Sequence, residues 1–166
     1  LNVNHSFKVL RIYKNTFADS ILVRNSTFEQ ISGSVLQLDA EIDDIGIYSA
    51  ENVVIDKCQF KDVGGTVLDL HRGGRDESTF GPMLVLTNSS FENIGGNKRN
   101  KADASVALHG VQYTVISGCE FKDSKPLKLH LVVGDPITRI LDSQFENTEQ
   151  VVTHDGSYTD EDLVFN

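Results

Sequence analysis

The sequence predicts an all-β chain folded as a right-handed parallel β-helix of about five to six coils. Three observations carry this. A Phe-centred motif recurs at intervals near 30 residues, and a second alternating apolar run follows each later copy. Helical periodicity is missing, while β-branched residues and Gly, Asn and Asp turns dominate. Units of that length with three short strands suit a solenoid in which each coil stacks on the one before.

The motif is an apolar residue, two others, a small or polar residue, any residue, then Phe. It reads "IYKNTF" at 12–17, "VRNSTF" at 23–28, "IDKCQF" at 55–60, "LTNSSF" at 86–91, "ISGCEF" at 116–121 and "ILDSQF" at 140–145. Stacking turns such columns into ladders spaced ~4.8 Å apart. Phe28, Phe60, Phe91, Phe121 and Phe145 should therefore form an internal aromatic stack. Alternation sends the residues two before each Phe inward as well. The polar column two after it (Asp19, Gln30, Asp62, Asn93, Asp123, Asn147) should hydrogen-bond at a tight corner.

Cys58 and Cys119 share one column with the Ser89 coil between them. Two coil spacings are ~9.6 Å, beyond the ~7 Å Cα limit for a disulfide. Both are expected to be free, buried thiols.

The second runs are "VLQLD" at 35–39, "VLDLH" at 67–71, "VALHG" at 106–110, "LKLHL" at 127–131 and "VVTHD" at 151–155. Their leucines and valines should point inward. One outward column then reads Gln37, Asp69, Ala107, Lys128 and Val152, and the next Asp39, His71, His109, His130 and His154. Four of the five histidines fall in that second column. Three readings compete. Histidine suits the outward end of a strand, or the column forms a polar groove for an extended sugar chain with Lys128, Arg72 and Arg75, or neighbouring imidazoles share a transition metal. No carboxylate-rich run with calcium-loop spacing accompanies them.

Two loops add charge. In "RGGRDESTFGP" at 72–82, Arg75, Asp76 and Glu77 either pair with one another, or Arg72 and Arg75 grip a uronate carboxylate in bidentate fashion. "GGNKRNKADAS" at 95–105 reads as a mobile, solvated excursion. The 166 residues suit a single domain over 1–166, and the net charge of −9 argues against nucleic acid while leaving room for an anionic ligand on a local basic stripe. No apolar run approaches the ~20 residues that span a bilayer, so no membrane partner is expected. The chain opens on Leu and almost at once on a repeat motif, so a processed product or fragment, capped by something upstream, is expected.

"DLHRGGRDESTFGP", "ASVALHGVQ", "ISGCEFKDS" and "VVGDPITRI" together resemble the C-terminal β-helix region of polysaccharide lyase family 6, which includes alginate lyases and chondroitinase B. The resemblance covers roughly residues 45–148 and is stronger toward the two-domain alginate lyases. It implies a bacterial, secreted or periplasmic protein acting on alginate or a related uronan, with an upstream catalytic β-helix. In that family a metal ion, usually calcium, neutralises the uronate carboxylate, a lysine abstracts the C5 proton and an arginine assists. That set has no counterpart here. His71-Arg72 reverses the Arg-His order of the family's "LRHG"-type strand, and Lys125 and Lys128 lie two coils further on. The expectation is a non-catalytic domain that binds uronan or supports the catalytic domain, with no cofactor in this segment and calcium in the missing one. The alternatives are a self-standing alginate lyase, with His71, His109 or His130 as base beside Arg72, and a purely structural or oligomerising β-helix.

Overall fold

The computed structural model describes residues 1–14, 16–39, 48–72, 81–132, 136–155 and 163–166. They build a right-handed parallel β-helix of six coils, each with three short strands. Coil 1 comprises β1 (Asn2–Asn4), β2 (Leu10–Ile12) and β3 (Ala18–Arg24), and coil 2 β4 (Thr27–Ile31), β5 (Leu36–Leu38) and β6 (Ala50–Asp56). Coil 3 has β7 (Gln59–Val63), β8 (Leu68–His71) and β9 (Met83–Thr87), and coil 4 β10 (Ser90–Ile94), β11 (Val106–His109) and β12 (Tyr113–Ser117). Coil 5 has β13 (Glu120–Lys122), β14 (Leu127–Leu131) and β15 (Ile137–Leu141), and coil 6 β16 (Gln144–Glu146), β17 (Gln150–His154) and β18 (Leu163–Phe165). Corresponding strands pair in parallel into three six-stranded sheets.

The first sheet is organised by its phenylalanines. Phe28, Phe60, Phe91, Phe121 and Phe145 stand in register, with successive ring centroids 5.0, 5.0, 4.3 and 4.8 Å apart and planes within 20° of parallel. The strand spacing of about 4.8 Å imposes this offset stack, because identical side chains in one column have nowhere else to go. The third sheet contributes Val53, Ile55, Leu84, Leu86, Ile116 and Ile140, and the second closes the core with Leu36, Leu38, Leu68, Leu70, Leu108 and Leu129.

The first motif was misplaced by the sequence pattern. Phe17 is exposed and tilted against Tyr48, and Val3 holds the phenylalanine column in coil 1, opposite Phe28. Asp19 likewise lies within β3, and His5, with φ 54°, takes the corner expected of it. The other corners are as expected. Gln30, Asp62, Asn93, Asp123 and Asn147 all have φ between 48 and 56°. Asn and Asp tolerate this left-handed geometry because a short polar side chain can bond locally. Here the bonds run between coils: Asn93 Nδ2 donates to Asp62 Oδ1 (2.7 Å) and Asn147 Nδ2 to Asp123 Oδ1 (2.8 Å).

The Ser/Cys column turns the preceding corner. Ser89 Oγ donates to Thr87 O (2.7 Å) and accepts the Cys58 N–H (3.0 Å); Ser143 Oγ does the same for Leu141 O and the Cys119 N–H. The two thiols are free and buried. Burial raises the Cys58 thiol above its usual range and pushes Cys119 up to about 11. Since the thiolate is the reactive form, both cysteines should react with a disulfide reagent only as the chain unfolds. A fast native phase in a thiol titration would contradict this packing.

Candidate functional site

The outer face of the second sheet carries most of the residues that the sequence singles out. Its alternation is fixed by the inward leucines, so Asp69, Ala107 and Lys128 form one outward column and His71, His109 and His130 the next. The imidazoles stack face to face, His71 to His109 at 4.1 Å and 5° and His109 to His130 at 4.5 Å and 14°. His130 ends the stack, with Nδ1 2.8 Å from Thr153 Oγ1 and Nε2 3.3 Å from Asp155 Oδ2. At the other end the column continues through Asp39, which accepts from Arg11 Nε (2.7 Å) and Gln37 Nε2 (3.0 Å).

Burial governs the electrostatics of this face. Desolvation, reinforced by its two neighbouring imidazoles, pushes His109 down to about 4; desolvation also lowers His71, with His130 adding to the shift. Desolvation pushes the Asp69 carboxyl up to about 6, with Asp39 adding and Lys8 opposing. His71 and His109 are therefore neutral near pH 7. Shared metal ligation does not suit them, because an ion lies about 2 Å from each nitrogen and near the ring plane, and parallel rings 4.1 Å apart offer no such common point. Among the described residues no group of three or more His, Cys, Asp or Glu side chains is placed to hold an ion.

Three of the expected contacts are placed differently. His154 is not in the histidine column. Thr153 lies opposite His130 and His154 opposite Leu131, while Val152 joins the inward column beside Leu129. The turn after Phe145 reaches the second sheet one residue sooner than the turn after Phe121, and a one-residue slip exchanges the two faces of a strand. Arg72 is wholly buried. It follows outward His71, so strict alternation turns it inward, a signal already present in "LDLHR". Gly110, with φ 66°, makes room for it in the next coil, where a Cβ would stand 3.2 Å from Arg72 Cβ and 3.3 Å from Nε. Lys128 leans away from the face, its Nζ donating to Ala102 O at 2.9 Å. Arg75 lies outside the described residues, as do Asp76 and Glu77.

The segment 95–105, expected to be a mobile excursion, is tied down. The Asn97 N–H donates to Gly64 O (2.9 Å) and its Nδ2 to Ser32 O (3.0 Å); Asn100 Nδ2 reaches Gly95 O and Ala104 O; Lys125 pairs with Asp103 at 2.8 Å. It walls a cleft of about 480 Å³ over coils 1 to 3, lined by Lys8 and Arg11 on one side and Arg99 and Lys101 on the other. Sequence reading missed Lys8 and Arg11. The pairs are about 90 residues apart in the chain, and no local pattern joins them.

The fold and this face define a right-handed parallel β-helix with a polar ladder and a cationic cleft along one side. No protein-family model matches the chain, and no curated protein does. Solved structures do. An arginine-to-alanine mutant of the PL6 family alginate lyase AlyGC is 35% identical with a TM-score of 0.92, over 99% of this chain and 24% of that one. A further AlyGC structure is 42% identical with a TM-score of 0.78, over 83% of this chain and 19% of that one. In sequence and fold the chain is similar to part of a polysaccharide lyase family 6 alginate lyase, and it spans about a quarter of the length of the lyase it matches.

Proposed function

We propose that this chain is a non-catalytic β-helix of a larger alginate lyase, and that its polar side holds the uronic-acid polysaccharide while another part of the protein cleaves it. The observation that carries this reading is the state of the histidine ladder. β-Elimination needs a base poised near the working pH and a cation to stabilise the enolate-like charge. Burial and stacking weaken His109 as a base, down to about 4, and lower His71 in the same direction. The neighbouring arginine, Arg72, is enclosed. A stacked polar ladder along parallel coils suits contact with an extended sugar chain better than proton abstraction. In this reading the parent protein is bacterial and secreted or periplasmic, and its calcium and proton-abstracting lysine belong to an upstream β-helix.

A second role, bracing another domain or copy, is favoured by one feature. The outward face of the third sheet carries an apolar column, Leu22, Val54, Val85 and Val115, where solvent-facing polar residues are usual. One pair of measurements separates the readings. The chain should bind alginate oligomers in a calorimetric titration, yet produce no rise in the ultraviolet absorbance of unsaturated uronate, with or without calcium. Turnover by this chain alone would overturn the non-catalytic reading, and absence of binding would leave the bracing role.

A further inference from the structure

The corner between the first and second sheets is where coil 4 departs from its neighbours. Coils 2 and 3 cross it in four residues each, between β4 and β5 and between β7 and β8, whereas coil 4 takes eleven between β10 and β11. The insertion folds back across coils 3 and 2, and its anchor on Ser32 lies 65 residues earlier in the chain. Two lysines of coil 5 hold its far end, Lys125 on Asp103 and Lys128 on Ala102 O. A solvated excursion would need none of these ties.

The insertion presents Arg99 and Lys101 to a cleft whose opposite wall, in coil 1, carries Lys8 and Arg11. Four of the chain's 15 Lys and Arg residues thus face one concavity in a protein of net charge −9. Side chains of coils 1 and 2 orient the Lys8 and Arg11 pair. Lys8 Nζ donates to Gln37 Oε1 (2.6 Å), and Arg11 is fixed by Asp39 and by stacking 4.6 Å over the Tyr13 ring. Arg99 and Lys101 enter no ion pair among the described residues. Like charges facing each other across a cleft repel, and an anion between them relieves the repulsion. Its volume, about 480 Å³, falls within the roughly 300–1,000 Å³ of small-ligand sites. Exposed Phe7 at the rim offers an apolar ring face to a sugar.

We propose that this cleft, which meets the outer face of the second sheet at Asp69, is a glycan-binding site beside the histidine ladder and takes a carboxylate-bearing sugar chain with its carboxylates between Lys8 and Arg11 on one wall and Arg99 and Lys101 on the other. Carboxylate has a precedent at Arg11, whose Nε and a terminal nitrogen both donate to Oδ2 of Asp39, a residue outside the cleft lining. The inference rests on the uronan reading for the identity of the sugar and on the cleft for the place where it binds.

The test is a calorimetric titration of the 166-residue chain with uronate oligomers, a sulfated glycan without carboxylates and a neutral dextran, at low and raised salt. Uronate affinity is expected to fall about tenfold or more in Arg99→Glu/Lys101→Glu, and to weaken with salt. Arg24→Glu/Lys57→Glu, the same charge change at the corner between the third and first sheets, is expected to have a much smaller effect. If both double variants bind uronate like wild type, the cleft assignment falls and the uronan reading stands. If they lose affinity equally, net charge explains the binding and the assignment also falls. Preference for the sulfated glycan or equal binding of dextran would overturn the carboxylate chemistry. A wild-type chain that binds no uronate overturns both readings.

Discussion

Phe91→Ala is expected to destabilise the chain by about 3–5 kcal/mol, the usual cost of emptying a buried phenylalanine site. Phe91 is 1% exposed, sandwiched between Phe60 at 5.0 Å and Phe121 at 4.3 Å. Neither neighbour can move into the gap, because each is held at its own strand spacing. The loss also falls in the middle of the stack, where a solenoid transmits stability from coil to coil through nearest-neighbour contacts. Phe145→Ala is the internal comparison. Phe145 is only partly buried and, among the described residues, has a ring on one side alone, so its loss should cost well under half as much. Denaturant unfolding of the two variants measures the difference. Equal costs, or a Phe91→Ala cost below about 1 kcal/mol, would contradict a continuous aromatic core.

The second large effect is a pair of opposed pH dependences on one face. Asp69 titrates near 3.8 in an unfolded chain and at about 6 in the fold, because burial disfavours its charge. Across that window the unfolded state gives up its proton first, so folding stability falls as pH rises, by ~3 kcal/mol in all. His109 titrates near 6.5 unfolded and at about 4 folded, again chiefly through burial. Across that window the unfolded state takes up the proton first, so stability falls as pH drops, also by ~3 kcal/mol.

In wild type the two nearly cancel. Substitution should separate them. Relative to wild type, Asp69→Asn should gain ~2–3 kcal/mol at pH 7 and little below pH 4. His109→Gln, on the same comparison, should be relatively more stable at pH 4 than at pH 7, whatever its offset from lost stacking. Unfolding free energies of the three proteins at several pH values read both slopes. Parallel profiles would mean that neither group is as desolvated as its position on the second sheet implies.

Much of the architecture was legible because a solenoid converts sequence columns into contacts. The stack of Phe28, Phe60, Phe91, Phe121 and Phe145, the corners from Gln30 to Asn147 and the unpaired Cys58 and Cys119 follow from identities that repeat at coil spacing. The ladder His71–His109–His130 is of the same kind. The errors of register fell where the repeat weakens at its ends. In coil 1, Val3 and His5 match no motif while "IYKNTF" does so by coincidence. In coil 6 a shorter turn shifts His154 by one position.

The class of fold, the inward columns and the central three rungs of the histidine ladder follow from alternation and coil spacing, which are local rules of the backbone. The register of the last coil, the fate of Lys128 and the cleft built from Lys8, Arg11, Arg99 and Lys101 emerge only in three dimensions. Those depend on how far a turn reaches before its strand re-enters the sheet. That length is settled by bonds such as Asn97 to Ser32, between residues too distant in the chain for any periodicity to connect.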